Sequence, residues 1–199
     1  MPRVHRKIEA DSIYHIFNRG NDRQRVFQKD GDYLAFLTLL GEMKQRYRMD
    51  LYAYCLMPNH FHLLVKAIVG EELSKGMQWF MTTHVRRYQR HYLSTGHLWQ
   101  GRFKSLPVNG EEHFLTVTRY IEGNPVRAGL VESAENWVWS SHRGRRGLQR
   151  ELLIEPLPVS FVGDWTTFVD TPLTANELAK VRKNPGRGWE LSGQPEAEE

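Results

Sequence analysis

Apolar and polar residues alternate through Ser12-Ile-Tyr-His-Ile-Phe-Asn18 and stop at Arg19-Gly20-Asn21-Asp22, which predicts a first strand and its turn. From Lys29 to Tyr47 the apolar spacing changes to three and four. Tyr33, Leu34, Phe36, Leu37, Leu40, Met43 and Tyr47 then share one side of a helix that starts near Asp30-Gly31-Asp32. Leu51–Met57 and His60–Ala67 are two β-prone runs around Pro58-Asn59, the pattern of a hairpin whose second arm opens on a histidine. Glu71 to Tyr92 contains no proline and carries Leu73, Met77, Phe80, Met81, His84 and Tyr88 three or four apart, a second long helix. His97 to Val108 reads as a fourth strand with a glycine irregularity. Glu111-Glu112 then opens a third helix striped by Phe114, Val117 and Ile121, and Gly123-Asn124-Pro125 ends it.

The order β-α-β-β-α-β predicts an α+β protein of the ferredoxin-like, split βαβ plan: an antiparallel sheet with two helices on one face and the other face left for function. Beyond the third helix, Val126 to Val131 reads as a short apolar turn. Trp137-Val-Trp-Ser-Ser141 supplies aromatics that fasten this segment to the body, and the basic, glycine-containing His142 to Gly147 reads as a linker. The chain therefore divides into a main domain over residues 1–146 and a C-terminal extension over 147–199. In the extension Thr174–Val181 forms a short helix and Gly193–Glu199 is expected to be disordered. No internal repeat is visible.

Composition narrows the classes. The 199 residues are 40% hydrophobic and 12% aromatic, with no apolar run long enough for a bilayer. The first residues lack a secretory segment, so the expected compartment is the cytoplasm. Cys55 stands alone, which excludes an internal disulfide and a cysteine-rich zinc site. A formal charge of +4 and a pI of about 9.2 point weakly to a polyanionic partner. Cations gather at Arg3–Lys7, His84–His91, Arg102–Lys104 and His142–Arg146, while three of the last four residues are acidic. Arg86, Arg87, Arg90 and His91 close the second helix, where cations suit the helix dipole as well as they suit phosphates.

Candidate chemistry centres on His60 and His62. Strand residues two apart point to one face, so the two imidazoles stand side by side and offer neutral nitrogen donors to one divalent cation. Tyr120 and Asn124 lie four apart on the third helix, hence on one side of it. A phenol ionises near about pH 10, but beside a cation it can lose its proton and attack phosphorus. The plainer alternatives are a core tyrosine, a turn-forming Asn124, a satisfied structural His15, and sheet-packing roles for Trp99 and Phe103 in place of base stacking.

Met57-Pro-Asn-His-Phe-His-Leu-Leu-Val65, Tyr14-His-Ile-Phe-Asn-Arg-Gly-Asn21, Leu98-Trp-Gln-Gly-Arg-Phe-Lys104 and Tyr120-Ile-Glu-Gly-Asn-Pro-Val-Arg-Ala-Gly-Leu-Val131 together resemble the single-tyrosine His-hydrophobic-His transposases, and more narrowly the REP-associated tyrosine transposases. The resemblance covers about residues 10–145. It implies a catalytic helix on the open sheet face, Tyr120 as nucleophile, and His60, His62 and Asn124 as ligands of Mg²⁺ or Mn²⁺. It further implies cleavage of single-stranded DNA beside a hairpin of the repetitive extragenic palindrome type through a 5′-phosphotyrosine. Arg19, Arg86, Arg87, Arg90, Arg102 and Lys104 are the expected phosphate contacts, with no membrane partner and a monomer favoured over a homodimer. Gly123 stands where a bulkier residue is expected and would loosen the end of the catalytic helix. The competing classes are a non-catalytic single-strand binder on the same fold and a water-using metal hydrolase; the latter lacks an acidic general base beside the histidines.

Overall fold

The structure, a computed structural model, describes residues 8–148 and 153–182. The expectation of disorder at Gly193–Glu199 lies outside the described residues. Strand β1 (Ser12–Arg19), helix α1 (Asp30–Arg46), β2 (Met49–Met57), β3 (His60–Ala67), α2 (Gly70–Tyr92), β4 (Lys104–Val108) and α3 (Glu111–Glu122) follow in order. The four strands form one sheet, β2-β3-β1-β4, and every neighbouring pair is antiparallel. This is the ferredoxin-like arrangement that the alternating and helical periods predict.

Period-two alternation sorts the sheet side chains onto two cores. On one face Ile16, Phe61, Leu63 and Val65 pack with Phe36, Leu40 and Met43 of α1 and Met77 and Phe80 of α2. On the other, Ala53, Cys55, Met57 and Leu64 meet Phe114, Val117, Tyr120 and Ile121, so α3 lies across the face that the two crossover helices leave open. Asp32 in the first turn of α1 accepts the backbone N–H groups of Gln28 and Lys29 and the hydroxyl of Tyr92, which joins the start of α1 to the end of α2.

The fourth strand is shorter than its apolar run suggests. Residues 97–103 form bends with a single bridge between Gly20 and Trp99, and Gly101 takes a φ of 137°, a conformation that L side chains rarely adopt. Trp99 and Phe103 are buried in the core beneath α1 and α2, so the packing reading holds for both. Trp99 stands edge-on to Phe61 with ring centroids 5.3 Å apart.

The segment read as a linker is instead structural. After helix α4 (Asn124–Arg127), Trp137 donates its indole N–H to the Leu56 carbonyl, and Leu56 N–H bonds the Trp139 carbonyl along the free edge of β2. Helix α5 (Ser141–Arg145) follows, with His142 fully buried. The reason is Glu122 at the end of α3, itself without solvent exposure. Its carboxylate accepts from Ser141 Oγ at 2.6 Å, from His142 Nδ1 at 3.2 Å, from Arg145 at 3.1 Å and from the Trp165 indole at 2.7 Å. A buried charge is tolerable only when paired and hydrogen-bonded, and here the basic run supplies both.

Trp165 belongs to helix α6 (Trp165–Asp170), and helix α7 (Ala175–Arg182) lies close by. Both pack on α3: Val181 joins the apolar core beside Tyr120, and Arg119 pairs with Glu177. Gly123 does not loosen the helix end. A β-carbon there would stand 2.9 Å from the carbonyl oxygens of both Arg119 and Val169, so glycine lets α6 approach the α3 terminus.

Burial alone would raise the Glu122 carboxyl, but the Arg145 charge and the hydrogen bonds from His142 and Ser141 override it and hold the pKa at about 2, below the ordinary 4.5. Glu122→Gln is expected to lower the unfolding free energy by about 3 kcal/mol at neutral pH in urea titrations, because the amide leaves Arg145 uncompensated. A depressed carboxyl pKa gives stability that is complete above about pH 5 and lost as the pH falls towards 2. The wild-type protein should therefore lose stability over that interval more steeply than Glu122→Gln.

Candidate active site

Registry between β1 and β3 builds the site. Arg19 pairs with His60 and Phe17 with His62, so His15, Phe17 and Arg19 on one strand and His60 and His62 on the next share the face that α3 crosses. The His60 and His62 rings lie 5.1 Å apart and nearly perpendicular. Tyr120, in the last turns of α3, meets the His62 ring edge-on at 5.6 Å and the His15 ring at 5.8 Å. Asn124 brings its amide nitrogen within 3.4 Å of His60 Nε2. The pair of histidines, Tyr120 and Asn124 therefore come together as their spacing requires.

Neighbouring groups set the imidazole tautomers. The Asn59 amide nitrogen donates to the Arg23 carbonyl, which turns its oxygen towards His60 Nδ1 at 2.6 Å. That nitrogen must then carry the proton, leaving the Nε2 lone pair facing Asn124. His15 Nε2 lies 2.8 Å from His62 Nδ1, so His15 is in direct hydrogen-bond contact with the histidine pair. When His62 Nδ1–H donates to it, His62 Nε2 is likewise free to coordinate.

Burial lowers the His60 pKa to about 3, with the charges of Arg19 and Arg127 adding to it. Burial lowers His15 to about 3 as well, helped by His113 and Arg127. His62 is held well below the ordinary imidazole value, first by burial and then by His15, His60, Arg127 and Arg19. All three imidazoles are neutral at ordinary pH, the form that binds metals. No carboxylate contributes to any of these shifts.

Two neutral nitrogens and an amide oxygen fit a hard or borderline divalent ion such as Mg²⁺ or Mn²⁺. Among the described residues no group of three or more His, Cys, Asp or Glu side chains surrounds a common point for a metal. The Asn124 amide is the side chain that the structure places beside His60 Nε2.

The expected phosphate contacts divide between two places. Arg19 adjoins His60, and Lys104 pairs in register with Phe17 and lies 5.7 Å from its ring, so both flank the site. Arg86 and Arg102 line a groove of about 1430 Å³ between α2 and residues 96–103. Arg86, Arg87 and Arg90 border a hollow of about 680 Å³ at the α1–α2 end. Because α2 covers the opposite sheet face, Arg86, Arg87 and Arg90 lie away from Tyr120.

One residue at the site escaped the sequence reading. Arg127 lies with its guanidinium 4.0 Å from the centroid of the Tyr120 ring and donates to the Tyr120 carbonyl at 3.1 Å. The seven-residue spacing from Tyr120 was its signal, since α4 resumes the helical rise after Gly123.

A model of the family described as "Transposase IS200 like" matches residues 9–124. A protein of Haemophilus influenzae assigned as a REP-associated tyrosine transposase is 26% identical over 125 residues, covering 56% of this chain and 70% of that protein. The REP-associated tyrosine transposase of Escherichia coli K12 is 24% identical over 163 residues, covering 81% of this chain and 90% of that protein. The solved structure of a REP-associated tyrosine transposase bound to a REP hairpin superposes with a TM-score of 0.59 at 21% identity, covering 88% of this chain and 96% of that one. At that identity the likeness speaks for the fold.

In titrations with Mn²⁺ followed by calorimetry or by the EPR signal of the free ion, His60→Ala and His62→Ala are expected to abolish binding. His15→Phe should weaken it about 10- to 100-fold. Unchanged affinity in His15→Phe would remove the orienting role argued for His15.

Proposed function

The chain belongs to the IS200-like transposase family, and on that footing we propose that it is a single-strand DNA endonuclease and strand transferase acting on hairpins of the repetitive extragenic palindrome type. Residues 1–146 are the catalytic unit in this reading, and residues 147–199 are an extension. The observation that carries it is the meeting of the Tyr120 ring with His62 and His15 on the face crossed by α3. A core tyrosine has no need of three neutral histidines and two arginines around it.

In this mechanism Tyr120 is the nucleophile. His60, His62 and Asn124 hold Mg²⁺ or Mn²⁺, which when bound polarises a non-bridging phosphate oxygen. Arg19 and Lys104 hold the backbone on either side of the scissile phosphate. The Tyr120 oxygen bonds to phosphorus as the bond to the 3′ oxygen breaks, the phenolic proton leaves to solvent, and the 3′ oxygen takes up a proton. The 5′-phosphotyrosine conserves the phosphodiester bond energy, so attack by another 3′-hydroxyl rejoins strands without an external energy source. The packing of α6 and α7 on α3 keeps Tyr120 over the histidines of its own chain, which favours a monomer.

Incubation with a labelled hairpin oligonucleotide and Mn²⁺ should give a covalent protein–DNA adduct on a denaturing gel. Tyr120→Phe should give none while binding the hairpin as tightly as the wild type. Adduct persisting in Tyr120→Phe would remove the tyrosine from its role, and cleavage without adduct would point to a water-using hydrolase.

Neutralising Arg19 or Lys104 should weaken binding to all hairpin sequences alike and reduce the slope of log affinity against log salt by about 1 per contact, as expected for phosphate contacts. A changed sequence preference would place these residues among those that read bases.

A further inference from the structure

Two arginines near the end of α3 are paired with carboxylates: Arg119 with Glu177, and Arg145 with Glu122. Arg127 has a different set of neighbours. The charged and polarisable groups that act on it are Tyr120, Cys55 and a second cation, Arg182, and among the described residues no carboxylate pairs with it. Its Nη2 holds the Tyr120 carbonyl at 3.1 Å, and its guanidinium plane lies 4.0 Å from the Tyr120 ring centroid. The carbonyl bond and a hydrogen bond to the Tyr120 side chain use part of a five-donor fork.

A half-buried guanidinium without a counter-charge is costly unless a ligand supplies one. The place of this one narrows the ligand. It stands over the phenol face at the end of the site where Arg19 and the three histidines converge, and Arg19 is likewise coupled to Tyr120. Planar, fixed N–H groups suit phosphate oxygens, and a cation over an aromatic face gains as that ring takes on negative charge.

We propose that Arg127 is a further catalytic residue, one that stabilises the negative charge passing from the Tyr120 oxygen to the phosphate during transfer. The inference rests on Tyr120 being the nucleophile. As the Tyr120 O–P bond forms and the P–O3′ bond breaks, charge shifts from the phenol side to the phosphoryl oxygens. A guanidinium already stacked on the phenol serves both ends without moving. Its carbonyl bond ties it to the helical turn that carries the nucleophile. Preorganised donors of this kind are worth about 100- to 1000-fold in rate each.

The test uses the full chain with a hairpin oligonucleotide and Mn²⁺, measuring the single-turnover rate of adduct formation beside hairpin affinity by fluorescence anisotropy. Arg127→Met keeps the stem and removes the charge. It should slow adduct formation about 100-fold or more while changing affinity by about threefold or less. Arg127→Lys, which restores charge without the planar fork, should recover about a tenth or more of the lost rate.

Unchanged rate in Arg127→Met would overturn the proposal. So would equal losses of rate and affinity, which mark a ground-state phosphate contact. Equal rate losses in Arg127→Met and Arg127→Lys with a lowered melting temperature in both would assign a structural role and overturn it as well. Absence of adduct in the wild-type protein would instead remove the transferase reading itself, so the two failures are distinguishable.

Discussion

The antiparallel registry of β1 with β3 is the constraint on which the site depends. Pairing Phe17 with His62 and Arg19 with His60 sends His15, Phe17, Arg19, His60 and His62 to one face and Ile16, Phe61 and Leu63 to the other. A slip by one residue would exchange the two sets, burying charged and imidazole groups under α1 and α2 while exposing the core. The apolar face therefore protects the polar one. Phe61 between the histidines is fully buried against Phe36 and Trp99, and its packing enforces the placement of His60 and His62.

A second constraint fixes what lies over that face. Helix α3 crosses the sheet on apolar contacts, but its C-terminal turn is held by the Glu122 carboxylate, two residues from Tyr120 and two from Asn124. Four donors from α5 and α6 converge on that group, whereas surface pairs such as Lys75–Glu71 and Arg46–Glu42 are exposed and contribute little. Gly123 allows the α6 backbone to close against the same turn. Orientation of the phenol is thus set from outside the sheet, by chain that follows it in sequence.

Legibility in the sequence followed the range of the interactions. Strand alternation, helical stripes and the Pro58-Asn59 turn are local, and the order of elements, the paired histidines and the four-residue step from Tyr120 to Asn124 were readable from them. Residues 142–147 were not. Their basic, glycine-containing run has a linker's composition, and only Glu122, some twenty residues earlier, turns it into a buried helix. The His15–His62 bond depends on strand register, which no single strand reveals. Arg127 was hidden because Gly-Asn-Pro announces a helix end, although the chain resumes a helical turn at once. The arginines of α2 were legible as a cationic cluster, and the split βαβ plan already put α2 on the face opposite the one left for function.

Charge ties the donors and the arginines into one device. His60, His62 and Asn124 are neutral donors, and the charged groups beside them, Arg19 and Arg127, are positive. Like charges repel, so these guanidinium groups would oppose a divalent ion at the histidines, as they oppose protonation of the imidazoles. A phosphodiester changes the sign of that relation, because its negative oxygens are attracted to the arginines and to the ion together. If both bind as proposed, linkage requires that DNA backbone tighten cation binding by the same factor as the cation tightens DNA. Adding a carboxylate to the donor set would hold the ion without DNA and would also pair with Arg127, removing the open cation beside the nucleophile. On the proposed reading, the neutrality of the buried imidazoles and the want of a carboxylate beside Arg127 among the described residues have one physical reason: the substrate supplies the negative charge that the protein withholds.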